Sequence, residues 1–416
     1  MNAARWSLIR FVIGVVIAVV LLDVWAGWAL PLVILAILVM VMGHEFGHFI
    51  TAKRAGLLVT DFFVGFGPVV WATTVGETRY GVRLLPLGGY VKVPGMTWSD
   101  AIAPELEART YRAASYPRKV LFASAGSLMH LVMALALAWA SLTFVGLPSA
   151  SHIGIGSFTH WDGYRENAAQ VAGIRLGDQI VSIDGVAVTN VTRLVNLVHD
   201  HTGKRLVIVV KRNGTERTLY ATPVDGRRLR VAGQPVAAGA TPVGYLGIGL
   251  KDLIVHESWL GAIPASVSKV VSTVGVAAKG IVHVFSPGEF SSLFHQVTNP
   301  VAASNPTAQL NRPESIVGVV RIAVQSTQLG VGVLLEILMI VNIFVGLLNM
   351  VPMLPLDGGY VLVATYERLR SRRGRPYHAD IQRLTPIVYA FATVLLVLFA
   401  FTLYLDIAHP IVNPFH

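Results

Sequence analysis

Five apolar runs punctuate the chain, at residues 8–24, 28–50, 119–146, 332–352 and 385–406. Each is long enough, or nearly so, for a helix to cross ~30 Å of hydrocarbon. The first is the shortest; with the second it makes a helical hairpin turned at Asp23 to Gly27. The stretch 53–119 is more than linker. Its segments DFFVGFGPVVWATTV and GETRYGVRLLPLGGYVKV read as short strands broken by Gly and Pro. They form either a small structural sheet or an exposed strand edge that pairs with an extended substrate. Residues 150–255 have the pattern of a separate soluble domain. VAGIRLGDQIVSIDG combines a turn with an alternating strand, VTRLVNLVHD is helical, and KRLVIVVKRNGTERTLYATPV is a hairpin turned at Asn213-Gly214. Beyond it, GAIPASVSKVVSTVGVAAKGIVHVF is weakly amphipathic and predicts a helix lying on the membrane surface, while PVAASNPTAQLNRPES predicts a loop.

Composition agrees with a membrane protein. Of 416 residues, 54% are hydrophobic and 13% charged, with a mean hydropathy of +0.61; soluble domains carry about 25% charged residues. The net charge of +10 does not point to nucleic acid, because no nucleic-acid module accompanies it. Loops rich in Lys and Arg beside apolar runs fit a lipid bilayer instead. The N-terminus has the basic start of a signal peptide but no small-residue cleavage site, and reads as an uncleaved helix. Cysteine is absent, so any metal must be held by His, Asp or Glu.

Charge orients the spans. Arg5 and Arg10 precede the first run; Lys53, Arg54, Arg79, Arg83, Lys92, Arg109, Arg112, Arg118 and Lys119 fill the second loop; Arg368, Arg370, Arg372, Arg373, Arg375 and Arg383 fill the last. All three groups share one side only if five runs span. They are then cytoplasmic, and the 150–330 region and the C-terminus lie outside.

The sharpest chemical signal is His44-Glu45-Phe46-Gly47-His48, at the end of PLVILAILVMVMG. Helical spacing puts His44 and His48 on one face, where both imidazoles reach one Zn²⁺. Glu45 beside them suits a general base toward water activated by the metal. The alternative is a helix end whose His and Glu reach lipid headgroups, against which stands the cost of ionisable groups at membrane depth. A zinc hydrolase needs a third protein ligand. Asp61 and Glu77 lie in the downstream range, but Asp357 is the better candidate. It closes Asn349-Met350-Val351-Pro352-Met353-Leu354-Pro355-Leu356-Asp357-Gly358-Gly359, on the same side as the histidines, where the prolines break the helix and the glycines allow close backbone approach.

HExxH in an early span with NxxPxxPLDGG in a late one resembles the paired signature of the site-2 metalloproteases, and GFGP and PLGGYVKVPGM resemble the bacterial branch that regulates sigma factors. The 150–257 domain resembles a bacterial PDZ domain. The resemblance implies a polytopic α-helical membrane protein with about five transmembrane helices, a membrane-associated β-sheet and an inserted extracytoplasmic PDZ-like α/β domain. The domains would be 1–149, 150–257 and 258–416. It implies that His44, His48 and Asp357 bind zinc and that Glu45 is the catalytic base. It further implies that Asn349 holds substrate or the oxyanion, and that the strands around 62–93 bind substrate. The expected setting is the bacterial inner membrane, and the expected partners are single-span membrane proteins such as pre-trimmed anti-sigma factors. The PDZ-like domain would bind peptide or filter substrates by size. A departure lies at Gly126-Ser127-Leu128-Met129-His130, where the family usually has Gly-Pro-x-x-Asn. Gly126 is kept; His130 either keeps a polar contact with the site or is a satisfied structural histidine. The extra N-terminal span is the second departure. Rival readings are a metal transporter and a non-catalytic PDZ scaffold. Against them stand Glu45 beside His44, the inserted soluble domain and the lack of an internal repeat.

Overall fold

A computed structural model of the protein describes residues 3–96, 102–237, 239, 241–371, 377–379 and 381–411. Arg372, Arg373 and Arg375 of the last basic loop, and the side chain of Arg5, lie outside the described residues. The chain forms two compact units, residues 1–140 with 263–416, and residues 141–262.

The first unit opens with helices α1 (Ala3–Ala26) and α2 (Ala29–Arg54). An antiparallel hairpin follows, β1 (Asp61–Val75) with β2 (Thr78–Lys92), turned at Gly76-Glu77. Helix α3 (Tyr116–Ala140) closes the N-terminal part. α1 is apolar all round and mostly exposed, as a lipid-facing helix is.

The second unit is built on an antiparallel sheet. Its strands are β3 (Leu147–Phe158), β4 (Gln179–Ile183), β5 (Val186–Ala187), β6 (Leu206–Arg212), β7 (Thr215–Ala221) and β12 (Ile248–Val255), in the order β12-β3-β4-β6-β7 with β5 on β4. Short strands β8 (Val224–Asp225) and β11 (Gly244–Tyr245) pair, as do β9 (Arg230–Val231) and β10 (Gln234–Pro235). Helices α4 (Ala168–Val171) and α5 (Val191–His199) complete it. The Asn213-Gly214 turn joins β6 to β7 with both residues at positive φ, 50° and 82°, the backbone that a two-residue hairpin needs. The core joins Ile153, Ile155, Ile180, Ile183 and Ile208 to Leu194 and Val198 of α5. α5 and β12 flank a cavity of about 260 Å³ that reaches the Gly244–Gly247 loop.

The first unit resumes with α6 (Ala262–Val284), α7 (Pro287–Thr298), α8 (Pro300–Ala303), α9 (Pro306–Asn311), α10 (Ile316–Ser326), α11 (Val331–Asn349), α12 (Asp357–Arg370) and α13 (Thr385–Ala408). Two expectations change here. The stretch PVAASNPTAQLNRPES is partly helical, because each Asn-Pro pair starts a helix. Asn299 accepts from the N–H of Val301 at 3.0 Å, Asn305 from that of Thr307 at 2.9 Å, and Pro300 and Pro306 take the first helical turn, where no N–H is needed. And α6, expected on the membrane surface, is long and apolar enough to cross a membrane and packs on other helices of the first unit. Its Val270 packs with Ala134 and Ala138 of α3 and Met339 and Ile343 of α11, and Lys269 pairs with Glu336 at 2.6 Å. Among the described residues six helices are long and apolar enough to cross a membrane, where about five were expected: Ile9–Ala26, Ala29–Arg54, Tyr116–Val145, Ala262–Val284, Val331–Asn349 and Thr385–Ala408. The chain is a multi-pass membrane protein with a sheet-bearing second unit.

Candidate active site

Small residues let three spans approach closely. Gly47 of α2 faces the backbone of Ala125 on α3, Gly126 of α3 lies against the His44 ring, and Gly346 of α11 lies against His130. At these crossings the last turns of α2 bring His44 and His48 to the start of α12. Their Nε2 atoms are 3.1 Å apart and stand 3.4 and 3.3 Å from Asp357 Oδ2.

Asp357 reaches them because α11 stops at Asn349 and the chain turns back before α12 begins. A side chain at Gly358 or Gly359 would collide with the backbone of residues 350–354. The C-terminal part of α12 is anchored from α3: Lys119 pairs with Glu367 at 2.7 Å, both largely buried, and Glu367 also accepts from the N–H of Ala379 at 3.0 Å.

The donor set fits a zinc ion. One ligand atom from each of His44, His48 and Asp357 lies within 4.8 Å of the others. Asp357 Oδ2 is buried without a hydrogen-bond partner, facing two imidazole nitrogens, so a cation would satisfy all three. His48 Nδ1 donates to the Phe122 carbonyl at 2.8 Å, which leaves the Nε2 lone pair for a metal. Glu45 lines the same cavity of about 220 Å³, with its side chain against Gly89 of β2. Tyr90, Val91, Met96, Phe122 and Tyr360 line it as well.

Other expected residues fall elsewhere. Asn349 is half-buried at the end of α11 and is not among the residues lining this cavity. Glu77 sits at the hairpin turn, bound by Arg109 at 2.8 Å and Lys53 at 3.0 Å; these hydrogen bonds, Arg109 first, hold its carboxyl down at about 2. Asp61 accepts from Thr60 Oγ1 at 2.9 Å. His130 is buried, its ring 5.2 Å from that of His44, and its Nδ1 donates to Asn342 Oδ1 at 3.0 Å. Asn342 in turn donates to the Leu338 carbonyl at 2.9 Å. Sequence reasoning missed Asn342, although a lone amide inside an apolar run is itself a signal. It also missed Tyr90 and Tyr360, which no local pattern marks.

Helices of membrane length that carry an HExxH motif and a distant aspartate to one buried cluster define a membrane-embedded metallopeptidase. Residues 32–397 match Peptidase family M50, and the chain belongs to that family, the site-2 proteases. Among similar proteins is Zinc metalloprotease Rip1 of Mycobacterium tuberculosis, 30% identical over 405 residues, covering 91% of this chain and 96% of that one. Rip1 of Mycolicibacterium smegmatis is 28% identical over 413 residues, 92% and 98% of the two chains. Regulator of sigma-E protease RseP of Salmonella typhimurium is 22% identical over 463 aligned residues, 89% and 96%. The chain is a zinc metalloprotease.

Proposed function

We propose that the protein cuts single-span membrane proteins within or beside their transmembrane segments. The observation that carries this reading is the meeting of His44, His48 and Asp357, from α2 and the α11–α12 turn, at the ends of helices of membrane length. When bound there, zinc supplies Lewis acidity and makes water a better proton donor. Glu45 accepts the proton from the attacking water and passes it to the amine nitrogen that leaves. His48 is held in one tautomer by Phe122, and α12 is fixed to α3 by Lys119 and Glu367. A helical substrate hides its carbonyls in its own hydrogen bonds and must unwind first. Tyr90 and Val91, which border the cavity on β2, suit strand addition by the unwound segment.

Sidedness follows from charge. Lys53 and Arg54 end α2 and Arg118 and Lys119 begin α3, so this end is cytoplasmic and residues 141–262 lie outside. α2 and α11 end on the same side, since their residues share one cluster. The chain between α3 and α11 then crosses an even number of times, and α6 is not a lone crossing. The outer unit is PDZ-like: helix α5 faces edge strand β12 across a groove closed by a glycine-bearing loop. RseP is named for regulation of sigma-E, and pre-trimmed anti-sigma factors are the proposed substrates here.

The test uses purified protein in liposomes with tagged single-span anti-sigma candidates truncated on their outer side. Mass spectrometry of the products is expected to place the cut inside the apolar segment or at its edge. Cuts confined to the soluble parts would rule the reading out.

A further inference from the structure

A peptide carbonyl under attack gains negative charge on its oxygen, and a hydrogen-bond donor fixed where that charge develops is worth a large factor in rate. The family resemblance gives this role to Asn349, yet Asn349 is not among the residues lining the cavity. Of the lining residues, Val91, Met96, Phe122 and Ala123 have apolar side chains, His44, His48 and Asp357 form the metal set, and Glu45 is the base. Two hydroxyls remain, on Tyr90 and Tyr360. The Tyr90 oxygen is engaged by Arg83 Nη2 at 2.6 Å, and its ring stacks on Phe63 at 5.6 Å. Tyr360 has no hydrogen-bond partner among the described residues. It stands three residues after Asp357 on α12, so both side chains leave the same helix face. Its ring meets Tyr111 edge-on at 6.4 Å, and Tyr111 packs on Phe122 at 5.6 Å.

We propose that Tyr360 is a catalytic residue, whose hydroxyl donates a hydrogen bond to the carbonyl oxygen of the scissile peptide as charge develops there. This deepens the protease reading above and rests on it. No bond to Tyr360 forms or breaks, and its proton stays on the phenol oxygen.

The test uses the full-length zinc-loaded protein in detergent. Three quantities are measured for wild type, Tyr360→Phe and Tyr90→Phe: zinc per chain, affinity for a phosphinic peptide that mimics the tetrahedral oxyanion, and affinity for the matching peptide with an ordinary amide. The amide affinity is read with Glu45→Gln also present, to prevent turnover. Tyr360→Phe is expected to weaken phosphinic-peptide binding by about 10²-fold or more. Amide-peptide binding is expected to change less than about threefold, and zinc to stay at the wild-type level. Tyr90→Phe is expected to change affinity for the phosphinic and the amide peptide by the same factor, because Arg83 fixes the Tyr90 oxygen on β2 while Tyr360 shares the helix face of Asp357. The proposal is overturned if Tyr360→Phe binds the phosphinic peptide as wild type does, weakens both peptides equally, or loses zinc, or if Tyr90→Phe carries the loss instead. A wild type that binds zinc but neither peptide removes the protease reading itself, a result distinct from failure of Tyr360 alone.

Discussion

Gly126 of α3 lies directly against the imidazole of His44, so close that a β-carbon there would overlap the ring. The position that carries a ligand is thus shaped by a missing side chain on the neighbouring span. Gly126→Ala must push His44 off the cluster. Strain of this kind costs about 1–3 kcal/mol. A displacement of about 1 Å at a reacting site costs on the order of 10²-fold in rate. Peptide hydrolysis by the purified variant, with its zinc content measured beside it, checks the expectation. Full activity in Gly126→Ala would mean that the ring does not sit where it is described.

Asp357 supplies the one acidic ligand, from a part of the chain remote from HExxH. Asp357→Asn removes the charge while keeping the shape, and zinc retention after dialysis against a chelator is expected to fall sharply. Stripping zinc from wild type is expected to abolish cleavage, and added zinc to restore it. Metal analysis and activity on the same sample decide both.

His130 and Asn342 form a buried polar pair between α3 and α11. Replacing His130 with Leu strands the Asn342 carbonyl oxygen, a loss of about 1–3 kcal/mol. Replacing both with Leu is expected to recover at least about 0.5 kcal/mol of that, since a coupled pair is not additive. Denaturation midpoints of the two single variants and the double one measure the coupling. Strict additivity would mean that the pair contributes nothing as a pair.

In the second unit, Asp178 accepts from Arg212 Nε at 2.6 Å and Nη2 at 2.7 Å, and from the N–H of Arg175 at 2.8 Å. Burial by itself would raise the Asp178 pKa; the hydrogen bonds from Arg212 and Arg175 outweigh it and hold the carboxyl below its usual value. A depressed folded-state pKa contributes stability that is full above the unfolded value of about 3.9. That stability is lost as pH falls through the folded value. Amide protection in β4 and β6, taken relative to the intrinsic exchange rate at each pH, is expected to fall on acidification below about pH 4 in wild type. In Asp178→Asn protection should be low already near neutrality, with a flatter pH response. An unchanged pH profile in the variant would contradict this.

Local patterns carried much of this architecture. His44 and His48 meet because four residues make about one helical turn, and the Asn213-Gly214 hairpin needs only its own two residues. What was not legible depends on partners far along the chain. The weak amphipathicity of α6 describes one helix face without saying that Ala134 and Met339 would cover it. Asn299-Pro300 and Asn305-Pro306 match a turn as well as a helix start, and only the following N–H groups decide between them. Tyr360 looks like any aromatic on an amphipathic helix until the fold places its helix beside His44.

The central claim is that the chain hydrolyses peptide bonds with Glu45 as the base. The most direct measurement co-expresses wild type or Glu45→Gln with a tagged, outwardly truncated single-span protein and follows the cytoplasmic fragment, with zinc content measured for both. The account predicts fragment release by wild type only, at equal expression and equal zinc. Equal release by both would assign the cleavage to another protease and contradict the account.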